Sequence, residues 1–135
     1  MQEVLTDRFT ESEEAIRCAF AQGWMQCVDA NLMPQGFTSE QMMGWKQLDP
    51  GEAHSIAYVA SLPQKALILM DERAGKSLCD ELGLATLGTV GILLAAHRRG
   101  VITQVRPELE RLHQAGFWLA PTVMKRVLSL AGEQP

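Results

Sequence analysis

Apolar and polar positions follow two rhythms along this chain, one of period two and one near 3.6, and the switches between them separate strands from helices. Ala66-Leu-Ile-Leu-Met70 is an unbroken apolar run that ends on Asp71. It predicts a buried parallel strand over 66–70 that delivers a carboxylate at its carboxyl end. Helical spacing follows from about Arg73 to Leu82, stopped by Gly83. A short strand comes next, Leu84 to Leu87. Gly88-Thr89 then opens a helix that carries Val90, Ile92, Leu93, Leu94 and Ala96 and stops at Gly100.

The flanks are punctuated in the same way. Thr10 with Glu13 forms a capping box ahead of Ile16, Ala19 and Phe20, which predicts a helix over 11–22 ended by Gly23. Trp24 to Val28 reads as a short strand, and 31–44 as a loop with a turn of helix at Ser39 to Met43. In Asp49-Pro50-Gly51-Glu52 the Asp can cap, the Pro suits the first helical position and Glu52 can close the box, so a helix runs to about Leu62, where Pro63 ends it. Two more helices are expected near 106–115 and 121–131. Helices alternating with strands indicate an α/β fold with a short parallel sheet.

Length and composition narrow the class. With 135 residues, 47% hydrophobic and 21% charged, the chain suits one soluble domain. The expectation is a single domain over 1–135, with helices 106–131 as an appended pair. The longest apolar run, Val90 to Ala96, is far short of the roughly 20 residues of a membrane helix. The first segment has no secretory core, so a cytoplasmic location and no membrane partner are expected. Cys18, Cys27 and Cys79 match no zinc or redox spacing and are expected to be reduced core thiols. His54, His97 and His113 have no ligand-spaced neighbours.

Charge is unevenly spread. Basic and acidic side chains number two and seven in 1–45, four and six in 46–96, and six and three in 97–135. The net charge of −4 does not by itself indicate a nucleic-acid binder, yet Arg98, Arg99, Arg106, Arg111, Lys125 and Arg126 can form a local basic patch or simply solvated helix faces.

Open α/β sheets bind ligands at the carboxyl edge of their strands, which makes Asp71 the leading candidate for a working residue. Glu52, opening the preceding helix, supplies a second carboxylate. Paired acids without a histidine cluster suit a hard divalent cation. The structural alternatives are that Asp71 caps the helix after it and that Glu52 only closes its capping box. Met70 to Ser77 ends in Gly75-Lys76-Ser77 like a phosphate-binding loop, but Met70 stands where glycine is needed and Asp71 and Glu72 would repel the anion.

Three blocks in order carry a resemblance: Leu48-Asp-Pro-Gly-Glu-Ala-His-Ser-Ile-Ala57, Leu67-Ile-Leu-Met-Asp-Glu-Arg-Ala-Gly75 and Gly83-Leu-Ala-Thr-Leu-Gly-Thr-Val-Gly-Ile-Leu-Leu-Ala-Ala96, followed by Gly100-Val-Ile and Gly116-Phe-Trp-Leu. They resemble a bacterial branch of the PIN-domain superfamily, relatives of toxin-type ribonucleases. The resemblance implies a three-layer α/β/α sandwich in which acids at the sheet edge hold Mg²⁺ or Mn²⁺ for phosphodiester hydrolysis. By it, Glu52 and Asp71 are the catalytic and metal-site acids, Glu72 is a further acid, and Thr89 lines the metal site. Arg73, Lys76, Arg98 and Arg99 become the candidate nucleic-acid contacts, with RNA as substrate and an antitoxin-like protein as partner. One departure stands out. The family pattern begins with an apolar strand ending in Asp, and this chain reads as starting after it, an amino-terminally truncated version with an incomplete metal site, weak or absent catalysis and a sheet completed by homo-oligomerisation. The competing class is a non-catalytic α/β interaction protein that associates through Leu109, Leu112, Phe117, Trp118, Leu119, Val123, Val127 and Leu128. A small doubly wound ligand-binding domain is a third.

Overall fold

Residues 11–28, 32–64 and 66–134 are described by a computed structural model, which forms two compact units, 1–31 and 32–135. In the first unit α1 spans Glu11–Ala21, with Ala19 buried. The Thr10 half of the expected capping box lies outside the described residues. Gly23 follows with φ +77° and turns the chain away. Trp24 to Val28 is not a strand, contrary to the apolar pattern: it holds bends and coil, and Trp24 is 70% exposed. An apolar pentapeptide becomes a strand only where a neighbour supplies the ladder, and none of the described strands pairs with it. Cys18 and Cys27 are exposed rather than buried; Cys79 alone is the expected core thiol.

In the second unit the helices are α2 (Ser39–Lys46), α3 (Pro50–Ser61), α4 (Arg73–Glu81), α5 (Thr89–Arg98), α6 (Arg106–Gln114) and α7 (Pro121–Leu130), with strands β1 (Leu67–Leu69) and β2 (Ala85–Leu87). Helix α2 extends beyond the expected single turn because Thr38 and Gln41 form a reciprocal capping box, with the Thr38 hydroxyl accepting from the Gln41 N–H at 3.2 Å. Gly75 and Lys76 lie inside α4, so the phosphate-loop pattern is helical. After α4 the Gly83 N–H donates to Asp80 and the Leu84 N–H to Cys79, a paired closure that needs the φ of +67° at Gly83 and aims the chain into β2.

β1 and β2 are parallel, with Leu67 opposite Ala85 and Leu69 opposite Leu87, and the Met70 N–H extends the ladder to the Leu87 carbonyl at 3.0 Å. The α/β fold with a short parallel sheet is the one the pattern indicated. The strand is buried on one face only, however. Ile68 and Met70 enter the core while Leu67 and Leu69 are 53% and 64% exposed. A two-stranded sheet reached by α3 and α4 has fewer partners than the continuous apolar run anticipated.

Two cores organise this unit. Trp45, Ala53, Ile56, Ala57, Ile68, Met70, Leu78 and Cys79 form the first, where the Trp45 indole N–H donates to the Ala53 carbonyl at 2.6 Å. Val105, Leu109, Val127 and Leu128 form the second, with Leu93 and Leu94 of α5 packed against it. No helix among the described residues is long and apolar enough to cross a membrane.

Candidate functional site

Asp71 leaves the carboxyl end of β1 two residues after Leu69, and its carboxylate turns toward the end of the neighbouring strand. Its Oδ1 accepts the Thr89 N–H at 2.9 Å and its Oδ2 accepts the Thr89 hydroxyl. Thr89 is the first residue of α5, so Asp71 satisfies a helix donor that has no partner within the helix and places a negative charge at its positive end. Asp71 therefore caps the second helix after its strand and not the first. Helix α4 is capped by Glu72, whose side chain makes no capping bond. Strand and helix ends converge here because β1 and β2 are adjacent and parallel.

Two glycines make room for this arrangement. A Cβ on Gly75 would lie 2.3 Å from the Met70 sulfur, so the strand's last core residue packs directly across the α4 backbone. A Cβ on Gly88 would lie 2.5 Å from Asp71 Oδ1, 2.9 Å from Lys76 Nζ and 3.4 Å from the Met70 carbonyl oxygen. The Lys76 ammonium and the Asp71 carboxylate thus both border the space over the bare Gly88 backbone, without forming an ion pair.

Glu52 occupies the first turn of α3. The capping box anticipated around it is not formed: Asp49 stands at the N-cap with no side-chain capping bond, because Pro50 at the first position already fixes the entry. Burial, and then the Glu72 and Asp49 carboxylates, push the Glu52 carboxyl above its ordinary value. Its charge is felt by the buried Cys79 thiol as well, which burial, Asp80 and Glu52 push up. Glu52 and Glu72 are accordingly a mutually repelling pair. Glu72 directly follows Asp71, so the pair adjoins the Asp71–Thr89 link through one peptide unit.

Oxygen-only donors of this kind suit a hard cation. Among the described residues no three His, Cys, Asp or Glu side chains are placed to hold a metal ion. Mg²⁺ needs no such cage, since it keeps several waters and takes one or two carboxylates. The repulsion between Glu52 and Glu72 is of the sort a cation relieves, so the donor set fits a water-rich divalent ion better than a fully protein-ligated one.

The four expected basic contacts separate. Arg73 opens α4 beside Glu72 and Lys76 lies over Gly88, but Arg98 and Arg99 stand at the far end of α5, roughly 13 Å of helix rise from Thr89. The cation that sequence reasoning left out of the site is Arg111. A cleft of about 300 Å³ between α5 and α6 is lined by Thr89, Ile92, Leu93, Glu108, Arg111 and Leu112, among others, and Arg111 is paired with Glu108 at 3.4 Å. Only the approach of α6 to α5 reveals it. A second cleft, about 550 Å³, is lined by Glu110, His113, Gln114, Trp118, Leu119, Pro121 and Met124.

In comparison with known proteins, a family model described as a PIN domain matches residues 1–133. No curated protein and no solved structure matches the chain.

Proposed function

The chain belongs to the PIN-domain family, and from that premise we propose that it is a nuclease-type domain acting on RNA, with Glu52, Glu72, Asp71 and Thr89 as its divalent-ion site. One observation supports this reading most: an acid at the carboxyl end of β1 bonded to the residue that opens the helix after β2, at the sheet edge where such folds hold ligands. Glu52 and Glu72 would hold Mg²⁺ or Mn²⁺ between them. Such an ion, when bound, polarises a phosphate and lowers the pKa of a bound water. The chain's own residues do the rest. Asp71 fixes the amino end of α5 and holds the Thr89 hydroxyl by a hydrogen bond. Arg73 opens α4 beside Glu72, and Arg111, on the cleft that Thr89 also lines, is suited to a phosphate of the same strand; Arg98 and Arg99 extend the basic surface. With ligand acids this few, cation binding and turnover are both expected to be weak.

Cleavage of a single-stranded RNA oligomer in Mn²⁺ or Mg²⁺ tests the proposal. Glu52→Gln and Asp71→Asn should each remove at least about 90% of it, a loss of roughly 1.4 kcal/mol in barrier lowering. Cleavage that survives both substitutions would overturn the reading.

A second reading, an interaction protein whose partner is an antitoxin-like helix, is favoured by the 550 Å³ cleft, where Trp118 is 73% exposed beside Leu119 and Met124. The two readings are compatible in one cytoplasmic protein. Helices α6 and α7 are then an appended pair of a single domain, and the exposed Leu67–Leu69 face is where copies of the chain would associate.

A further inference from the structure

Lys76 is the fourth residue of α4, a helix that starts at Arg73. Positive charge in a first turn is unfavourable because the peptide dipoles already make that end positive. A nearby negative charge offsets this, and the Asp71 carboxylate is the one that stands close by over Gly88. The ammonium Nζ lies 2.9 Å and the Asp71 carboxylate 2.5 Å from a single point, which also lies 3.4 Å from the Met70 carbonyl oxygen. Nζ and the two oxygens therefore border one small space, with Nζ outside ion-pair distance of Asp71. Gly88 keeps that space open.

We infer that Lys76 is the resident cation of the Asp71 half of the site, an internal ammonium standing where a divalent ion would otherwise draw on Asp71. The inference rests on the divalent-ion reading above and divides its acids: Asp71 faces the nearby Lys76 charge and is fixed by Thr89, and Glu52 with Glu72 is left for the metal. A competing ammonium within about 5 Å of a carboxylate weakens a cation's hold there through direct repulsion. Lys76 is thus a positioning residue that limits metal affinity rather than a phosphate contact.

Mn²⁺ titrated calorimetrically into the full chain tests this, with Lys76→Met and Lys76→Gln as the neutral variants, Lys76→Arg as the charge-retaining control, and thermal melting to confirm folding. Either neutral variant should bind Mn²⁺ about tenfold more tightly, or bring binding into the measurable range. Lys76→Arg should stay at the wild-type level, and Asp71→Asn added to Lys76→Met should remove the gain. Unchanged or weaker Mn²⁺ binding in the neutral variants, or a gain that survives Asp71→Asn, overturns the inference. Failure of the underlying reading shows separately, as wild-type Mn²⁺ binding that Glu52→Gln leaves intact.

Discussion

Asp71 and Thr89 are 18 positions apart and joined by two hydrogen bonds, one to a backbone N–H and one to a hydroxyl. Removing the shared carboxylate by Asp71→Ala should cost about 0.5–2 kcal/mol, the range for losing a helix cap, and lower Tm. Thr89→Val keeps the backbone bond and should cost less; an equal loss would mean that the hydroxyl bond dominates. Glu52 works in the opposite direction. Its folded carboxyl is raised above the ordinary 4.5 by burial, Glu72 and Asp49, so the stability it contributes is present below pH 4.5 and lost as pH rises through the higher folded value. Glu52→Gln should therefore melt higher than wild type at pH 7 and equally at pH 3.5, as followed by circular dichroism. Asp71 was legible as a chemical residue because an acid after five apolar residues is conspicuous. Its partner was legible only as a position after the next strand, since no sequence spacing encodes a bond across 18 residues. Glu72 is legible only as the neighbour of Asp71, because its electrostatic influence on Glu52 depends on how α3 lies against α4.

Helices were readable to within a residue or two wherever proline or glycine set their ends, as for α3, α5, α6 and α7, because these residues act on the backbone locally. Trp24 to Val28 failed for the converse reason: strand structure is conferred by a partner. The amino end of α6 shows a third case. Its N-cap, Val105, has no side-chain oxygen, and the Glu133 carboxylate accepts the Val105 N–H at 2.6 Å and the Arg106 N–H at 3.1 Å from the far end of the chain. The Val105 N–H chiefly holds the Glu133 carboxyl below its ordinary 4.5. A depressed folded value contributes stability above pH 4.5 that is lost as pH falls through it. Glu133→Gln should lower Tm at pH 7 and match wild type once the wild-type carboxyl is protonated; a constant deficit at all pH values would assign the effect to packing.

At the scale of the molecule, the net charge of −4 makes RNA binding depend on where the positive groups stand. Residues 97–135 carry six basic and three acidic side chains, and the cleft lined by Thr89 and Arg111 ties part of that region to Asp71. Phosphate contacts release counterions, so affinity for a single-stranded RNA should fall with salt at a slope of about −0.7 per phosphate neutralised on a log–log plot. Arg111→Ala should flatten the slope by about one such step, and Arg98→Ala with Arg99→Ala should do so only if the strand runs the length of α5. Fluorescence anisotropy across a range of salt concentrations measures this. Association with a helical partner in the Trp118 cleft would instead bury apolar surface, change little with salt and be lost on Trp118→Ala. The two outcomes differ in sign of evidence at separate residues, so one series of titrations decides whether the carboxyl-terminal helices serve a nucleic acid or a protein.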